Sequence, residues 1–244
     1  MEKIHFIGIA GAGMSTAAGM LKKEGYTITG SDEACYPPAS TYLENNGLTF
    51  FMGYRKENIP KDADTIVIGK NAKLTEENPE VAEAFARGAT IYSLPELLGS
   101  LLEKSQNIVV AGSYGKSTVT AFLAWCMQKA GKNSGYFIGA KPIGMDTNAQ
   151  KGGGKYFILE GDEYPSSNWD ARSKFLHYKP HDVLLTSVVH DHINVFPTLT
   201  EYEKPFTELL TLIPEDGIVF VNADEKGALA LAQESKKRIV SYGN

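Results

Sequence analysis

The chain has 244 residues, enough for one large or two modest domains, and 43% of them are hydrophobic, as in ordinary folded proteins. Its formal net charge is −5 and it has no long Lys/Arg cluster, which argues against a nucleic-acid surface as its main function. Cys35 and Cys126 lack metal-site spacing, and the sequence has neither a secretory signal nor an apolar stretch that could span a bilayer. We therefore expect a cytoplasmic protein with no nucleic-acid or membrane partner.

The first hundred residues alternate between strand and helix patterns, which predicts a compact α/β domain over 1–103 with a parallel, Rossmann-like sheet. Its predicted strands are 4–8, 26–30, 48–51, 64–69 and 90–92, and its predicted helices are 13–23, 39–46, 78–87 and 95–103.

A glycine-rich turn joins the first strand to the first helix. Gly8, Gly11 and Gly13 give the spacing G-x-x-G-x-G, and Thr16 stands where the dinucleotide fingerprint G-x-G-x-x-G would need glycine. Nicotinamide binding is therefore disfavoured, but an anion site at the helix N-terminus is predicted. Asp32 follows the second strand, where an acid often meets a ribose hydroxyl. The alternative is a turn that serves close packing, with Asp32 capping a loop.

The polar residues 103–106 indicate a boundary, and a second, incomplete domain is predicted over 107–244. Its predicted helices are 116–130, 199–212 and 225–236, and its predicted strands are 135–139, 156–160, 182–189, 218–222 and 238–242. Trp125 and the other large apolar residues of its first helix are expected in the core. Because the chain stops just after a strand, we expect it to be the front part of a longer protein.

Residues 107–118 read Asn-Ile-Val-Val-Ala-Gly-Ser-Tyr-Gly-Lys-Ser-Thr, an apolar strand and a short turn leading into a helix. This pattern is typical of a nucleoside-triphosphate phosphate loop, although Val110 replaces its leading glycine. Lys116 would neutralise the phosphates and the Ser117 hydroxyl would hold magnesium. The sequence therefore predicts binding of ATP or GTP by Gly112, Ser113, Tyr114, Gly115, Lys116, Ser117 and Thr118.

Further polar residues follow two predicted strands. Glu160, Asp162 and Glu163 come at the end of strand 156–160, and Glu160 is the best candidate to share a magnesium ion with Ser117. His192 closes a His-Asp-His sequence after strand 182–189, which could orient a phosphate, a metal or an amine, or be a surface histidine pair. If the site is real, these two strands and the strand before the phosphate loop end at one edge of one sheet.

Two cations, Arg172 and Lys174, lie shortly after the acidic strand end. A guanidinium group suits carboxylate or phosphate groups, so Arg172 is a candidate for substrate binding and catalysis. Capping a helix or forming a surface ion pair are the alternatives.

Together these motifs resemble those of the Mur ligases, the ATP-dependent amide-forming enzymes of bacterial peptidoglycan synthesis. The N-terminal and acidic motifs resemble the branch that acts on UDP-N-acetylmuramate and adds L-alanine or, in murein recycling, a tripeptide. The sequence Arg-Ser-Lys-Phe at 172–175 is closer to the tripeptide-adding ligases. The matching segments, in the family's order, are 8–15, 30–32, 111–118, 160–164, 191–192 and 221–224.

The resemblance implies a role for each domain. The N-terminal domain would bind the UDP part of the sugar nucleotide, the P-loop ATPase-like central domain would bind ATP and Mg²⁺, and a third domain, without counterpart here, would bring the amino acid or peptide. This polypeptide alone is then expected to bind more than it catalyses. The implied substrate-binding residues are Gly8, Gly11, Gly13, Met14, Ser15, Asp32, Asp162, Glu163 and Arg172; Ser117, Glu160 and His192 would hold the metal, and Lys116, His192 and Arg172 would act in catalysis.

The sequence departs from the family's pattern at several positions. Tyr114 replaces a histidine, Ser117 a threonine, Ser187 an asparagine and Asn194 an aspartate, while Val189 replaces a glutamate and removes a carboxylate near the second metal position. Three other interpretations stay open: a nucleotide-dependent switch or small-molecule kinase, a nicotinamide oxidoreductase, and a non-catalytic sensor derived from the ligase fold.

Overall fold

The structure, a computed structural model, describes residues 2–243 and divides into two compact α/β units. The first contains the residues through Leu97 together with Ser166–Ala171, and the second contains Leu98–Pro165 and the residues from Arg172 onward. The division lies a few residues before the boundary predicted at 103–106. That the segment Ser166–Ala171 belongs to the first unit was not anticipated from the sequence.

The first unit contains a five-stranded sheet whose strands alternate with helices along the chain. Its strands, in the spatial order β3-β2-β1-β4-β5, are all parallel, as predicted. Its elements are β1 (Lys3–Ile7), α1 (Ala12–Lys23), β2 (Thr27–Asp32), α2 (Ala39–Asn45), β3 (Thr49–Met52), a 3-10 helix (Lys56–Asn58), β4 (Thr65–Ile68), α3 (Pro79–Ala86), β5 (Thr90–Ser93) and α4 (Leu94–Leu101), which crosses into the second unit.

One part of the core of the first unit forms where buried strand residues meet α3. Ile7, Ile66 and Ile68 pack with Val81 in one buried cluster. Alternating strand residues reach both faces of a parallel sheet, and each face has to be covered by helices. Asn78 caps the N-terminus of α3, and its side chain accepts hydrogen bonds from the Glu80 and Val81 amides, which fixes the first turn of the helix.

The second unit is a seven-stranded sheet in the order β12-β11-β10-β6-β9-β7-β8, parallel except for the β7–β8 pair. Its elements are β6 (Gln106–Ala111), α5 (Lys116–Lys129), β7 (Gly135–Phe137), β8 (Ala149–Gln150), β9 (Tyr156–Glu160), a 3-10 helix (Lys174–His177), β10 (Pro180–Leu185), α6 (Leu199–Thr211), β11 (Ile218–Asn222), α7 (Lys226–Glu234) and β12 (Arg238–Tyr242).

The predicted α/β fold class is confirmed, and most predicted elements lie within a few residues of the observed ones. The strand predicted over 182–189 is the exception, because β10 ends at Leu185 and the next residues turn away to contact the loop after β6. The short strand β8 and both 3-10 helices were not predicted.

The expectation that the large residues of α5 are core residues is wrong for two of them. Trp125 is 45% exposed and stacks against Phe122, which is 66% exposed.

The helix α5 has 14 residues, and no helix among residues 2–243 combines the length and the apolar character needed to cross a membrane.

The central strand of the second sheet positions the candidate site. β6 pairs in parallel with β9 on one side and with β10 on the other. The carboxyl ends of these three strands therefore lie at one edge of the sheet, which confirms that prediction. In open α/β sheets, ligands bind at this edge where neighbouring strands diverge.

Candidate nucleotide and metal site

The loop between β6 and α5 needs glycine at its first position. Gly112 has φ +141°, and a Cβ there would lie 2.2 Å from Thr186 Oγ1 and 2.6 Å from the Ser187 carbonyl oxygen. Gly115, at φ +81°, ends the loop in the left-handed conformation just before α5. The two glycines of the motif thus give the chain the backbone shape of this turn.

Residues that follow β10 hold this loop in place. The Ser113 amide donates to the Ser187 carbonyl at 2.9 Å, and the Tyr114 amide donates to Ser187 Oγ at 3.0 Å. Thr186 Oγ1 donates to the Tyr114 carbonyl at 2.6 Å. Ser187, where the family usually has asparagine, therefore contributes both its side chain and its backbone to the loop.

Lys116 opens α5 with its ammonium group turned back over the loop. Its Nζ donates to the Gly112 carbonyl at 2.6 Å and lies 3.1 Å from Glu163 Oε2. The first amides of a helix have no partner within the helix and carry partial positive charge. The loop therefore combines a lysine with a helix N-terminus, an arrangement suited to a polyphosphate.

Ser117 and Glu160 meet at the same edge. Ser117 Oγ donates to Glu160 Oε1 at 2.7 Å, and the other carboxylate oxygen accepts from the Gly139 amide at 2.7 Å. A hydroxyl and a carboxylate are the oxygen ligands that Mg²⁺ prefers. The two oxygens are close enough to share one ion, so these residues fit the predicted metal.

Glu163 is buried between two basic side chains. It is 1% exposed, with Oε1 3.1 Å from His192 Nε2 and Oε2 3.1 Å from Lys116 Nζ. A buried carboxylate is tolerated when a cation compensates its charge. Glu163 was predicted with the substrate-binding residues, whereas in this structure its contacts are to the phosphate-loop lysine and to His192.

His192 contacts Tyr164 and Glu163, whereas Ser117 and Glu160 contact each other. Its Nδ1 is 2.9 Å from the Tyr164 hydroxyl and its Nε2 contacts Glu163, so both ring nitrogens have partners. To bind a metal, His192 would have to exchange one of these partners. Its role as a metal ligand and in catalysis stays a prediction.

The remaining acids and cations lie just after the end of β9. Lys174 Nζ contacts Asp162 Oδ2 at 2.6 Å, so a cation does lie beside the acidic strand end. Ser173 Oγ donates to the Glu163 carbonyl at 2.5 Å, which fixes the backbone directly after Arg172. Arg172 is exposed. Its substrate role and that of Asp162 stay predictions.

Sequence reasoning missed Tyr202, a fully buried residue of α6 whose hydroxyl lies 2.9 Å from Ser113 Oγ. Burial is the main cause that raises the pKa of Tyr202, and the negative charges of Glu163 and Asp191 add to it. The signal was present, because Tyr202 lies one helical turn before the apolar Phe206. A tyrosine on the buried face of a helix needs a partner for its hydroxyl.

In the glycine turn of the first unit, the backbone amides of residues 8–11 already donate hydrogen bonds within the protein. The Gly8 and Ile9 amides donate to the Ser31 carbonyl at 2.8 and 3.0 Å, and the Gly11 amide donates to the Gly8 carbonyl at 3.2 Å. The Ala10 amide donates to Asp32 Oδ2 at 2.9 Å. The amides of residues 8–11 are therefore already paired, three of them with the end of β2, and the groups left for an anion are the amides of the first turn of α1.

The predicted substrate residues at this turn are partly engaged within the protein. Ser15 Oγ donates to the Ala12 carbonyl at 3.1 Å, and Met14 is buried. Asp32 Oδ1 accepts from the Tyr54 hydroxyl at 3.1 Å; burial and the charge of Asp32 raise the pKa of Tyr54 to about 12. Whether these residues and the three glycines contact a sugar nucleotide stays a prediction.

Two protein families match this chain, one over each half. The family described as "Mur ligase family, catalytic domain" matches residues 3–106, and "Mur ligase middle domain" matches residues 110–244. The chain belongs to the Mur ligase family. The resemblance to the Mur ligases that the sequence motifs indicated is thereby confirmed over both halves of the chain.

Relatives within the Mur ligases include two kinds of enzyme. UDP-N-acetylmuramate--L-alanyl-gamma-D-glutamyl-meso-2,6-diaminoheptandioate ligase of Haemophilus influenzae is 33% identical over 248 residues, covering 100% of this chain and 54% of the relative. UDP-N-acetylmuramate--L-alanine ligase of an Arthrobacter species is 33% identical over 247 residues, covering 100% of this chain and 50% of the relative. The chain spans about half the length of the curated relatives it matches.

A solved Mur ligase structure has the same fold. The crystal structure of UDP-N-acetylmuramate:L-alanyl-gamma-D-glutamyl-meso-diaminopimelate ligase from Neisseria meningitides superposes with a TM-score of 0.90 at 30% identity, covering 100% of this chain and 78% of that one. The L-alanine ligase from Thermotoga maritima gives 0.78 at 23% identity, covering 100% of this chain and 53% of that one, and supports the fold alone.

Proposed function

We propose that this chain is the sugar-nucleotide-binding and ATP-binding part of a cytoplasmic ligase that joins the lactyl carboxylate of UDP-N-acetylmuramate to an amino acid or peptide. One observation carries the proposal: Ser117 Oγ and Glu160 Oε1 lie 2.7 Å apart at the end of the sheet that also presents Lys116. A hydroxyl, a carboxylate and a lysine at a helix N-terminus match the needs of a magnesium-bound triphosphate.

The chain's own residues would divide the work of holding ATP. Ser117 and Glu160 would hold Mg²⁺, which would neutralise charge on the phosphate oxygens. Lys116 would leave Glu163 and contact the β- and γ-phosphates, and the first amides of α5 would face the same oxygens. The loop from Gly112 to Thr118 would surround the phosphates.

The proposed reaction brings together two anions that repel each other. A lactyl carboxylate oxygen attacks the γ-phosphorus, the bond from that phosphorus to ADP breaks, and an acyl phosphate forms. The amine then attacks the acyl carbon, loses a proton and releases phosphate. Lys116 would lower the repulsion at the γ-phosphate, and Arg172 is the candidate to orient the carboxylate.

The first unit would bind the UDP part of the substrate. The amides of its turn at Gly8 are already paired, mostly with the end of β2, so the pyrophosphate would meet the amides at the start of α1, near Gly13. Asp32 is fixed by the Ala10 amide and by Tyr54, with carboxylate oxygens that could also accept from a ribose hydroxyl.

The favoured amine is the tripeptide of murein recycling. The sequence Arg-Ser-Lys-Phe at 172–175 and the TM-score of 0.90 to a ligase named for the peptide support this choice. The alternative is L-alanine, because a ligase named for that amino acid is also 33% identical to this chain. Phosphate release by a version that carries the further domain, with each amine in turn, separates the two.

Isothermal titration calorimetry on this chain tests the proposal. We expect UDP-N-acetylmuramate to bind, Mg-ATP to bind, and NADH to give no heat. A chain that binds Mg-ATP but not UDP-N-acetylmuramate would be a nucleotide switch or kinase, and one that binds NADH would be an oxidoreductase; either result contradicts the proposal. Binding of both substrates without turnover by the longer version would favour the sensor.

A further inference from the structure

We propose that Tyr202 is a positioning residue that holds the phosphate loop in its ATP-binding shape by donating a hydrogen bond to Ser113. This inference rests on the proposed function, because it concerns how tightly the same loop binds Mg-ATP. Tyr202 lies on α6, 89 positions from Ser113 along the chain, yet the two hydroxyl oxygens are 2.9 Å apart.

The contacts of Ser113 fix the direction of each hydrogen bond. Its Oγ lies 2.7 Å from the Val189 carbonyl oxygen and 2.8 Å from the Val189 amide nitrogen. The carbonyl can only accept, so Ser113 donates its one proton there, and the amide donates to Ser113. A serine oxygen has one further acceptor position. Tyr202 fills it as a donor, and the hydrogen-bonding capacity of Ser113 is then complete.

The hydroxyl of Tyr202 is held by its own packing. Its side chain is 0% exposed and its ring lies 5.3 Å from that of Phe206 and 5.4 Å from that of Phe196. The helix that carries it begins in a capping box between Thr198 and Glu201, which fixes the first turn next to Tyr202. A rigid aromatic residue therefore sets where the loop's serine can lie.

The position of this contact in the loop gives it a consequence for nucleotide binding. Ser113 lies between Gly112 and Tyr114, so the hydrogen bonds of its side chain hold the part of the loop that leads to the N-terminus of α5. The Tyr202 hydroxyl is also 3.4 Å from Glu163 Oε1, the carboxylate that neutralises Lys116. One hydroxyl thus lies between the loop and the partner of its lysine.

The test is Tyr202→Phe, which keeps the ring and removes only the hydroxyl. We expect the Kd for Mg-ATP, measured by calorimetry on the full chain, to rise about three- to tenfold, as for the loss of one buried hydrogen bond. The matched control is Tyr136→Phe, because the hydroxyl of Tyr136 is in the same unit and contacts Thr147, away from the loop. It should leave the Kd unchanged.

A second variant cuts the same bond from its other end. Ser113→Ala should weaken Mg-ATP binding at least as much, and adding Tyr202→Phe to it should cause little further loss, because the shared bond is already gone. If Tyr202→Phe does not fold, Ser113→Ala alone decides, and unchanged affinity overturns the inference. A Kd that Tyr202→Phe leaves at the unaltered value, or losses that simply multiply in the double variant, also overturn it.

The failure of the inference can be told apart from that of the proposed function. If the unaltered chain does not bind Mg-ATP, the proposed function fails and this inference fails with it. If the unaltered chain binds Mg-ATP and the Tyr202→Phe chain binds it equally well, only the role of Tyr202 is wrong. Thermal unfolding of each variant shows whether a change in Kd follows from lost stability.

Discussion

The two glycine-rich turns look alike in sequence and differ in how they are held. The turn at Gly8 is held by the end of β2, the next strand along the chain, with the Ser31 carbonyl and the Asp32 carboxylate accepting hydrogen bonds from its amides. The loop at Gly112 is held by residues that follow another strand, including Ser187. Each turn is therefore held by a neighbouring strand, but the partner Asp32 lies 22 positions from the first turn along the chain, whereas the partner Ser187 lies 73 positions from the second.

The charges at the two turns differ as well. The first has a carboxylate, Asp32, bonded to the turn itself, and therefore suits a ligand that offers hydroxyl groups beside its phosphates. The second has Lys116 and the Ser117–Glu160 pair, and therefore suits a triphosphate with a divalent cation. A glycine spacing alone does not separate the two kinds of site; the charged residues around the turn do.

The largest expected effect is that of Lys116→Ala on Mg-ATP binding at the second turn. The variant removes the cation of the second turn and should weaken Mg-ATP binding about ten- to a hundredfold, as for a lost charge-assisted contact. Binding of UDP-N-acetylmuramate should stay unchanged, because the first turn is untouched. Calorimetry with each ligand measures both.

The control for this variant concerns Glu163, which would be left buried without its lysine. Glu163→Gln in the Lys116→Ala chain should recover much of the lost stability in a denaturant titration without recovering Mg-ATP affinity. Recovery of both would mean that Lys116 acts through folding only. Unchanged ATP affinity in the single variant would remove the basis for the difference between the turns.

A smaller effect is expected at the first turn in alkaline solution. The folded chain holds the Tyr54 proton more tightly than the unfolded chain, since burial and Asp32 raise its pKa to about 12. The stabilisation from Tyr54 is therefore complete below about pH 10 and is lost as the pH rises towards about 12. Tyr54→Phe should make the fall of the unfolding free energy over this range shallower.

The measurement is a set of denaturant titrations between pH 9 and pH 11, that is, about one unit on either side of the ordinary tyrosine pKa. Tyr36→Phe is the matched control, because Tyr36 is 74% exposed in the same unit. The slope of stability against pH should stay as in the unaltered chain for the control. Equal slopes for Tyr54→Phe and the unaltered chain would mean that neither burial nor Asp32 raises the pKa of Tyr54 in the folded state.

Much of this molecule could be predicted from local patterns. The strand-turn-helix of residues 107–118 fixed the position of Lys116 and Ser117, because a phosphate loop is read from consecutive residues. The meeting of Ser117 with Glu160 also followed, since neighbouring parallel strands end at one edge. These predictions needed only sequence order and the topology of an open sheet.

The rest depends on contacts between distant residues. The apolar run 182–189 looks like one strand, but its last residues leave the sheet to bond the phosphate loop. Tyr202 and the two partners of His192 have no local signal for which residue they contact. The exposure of Trp125 was missed because an aromatic residue in a helix indicates burial only when its face has a partner.

The proposed function depends most on a single metal ion shared by Ser117 and Glu160. The direct measurement is the Kd for ATP with saturating Mg²⁺ and with EDTA, for the unaltered chain and for Glu160→Gln, which keeps the shape of the side chain and removes its charge. Glu103→Gln, an exposed acid of the same unit, is the control. We expect Mg²⁺ to tighten ATP binding about tenfold or more in the unaltered and control chains and little in Glu160→Gln. Equal dependence on Mg²⁺ in all three chains would contradict the proposed function.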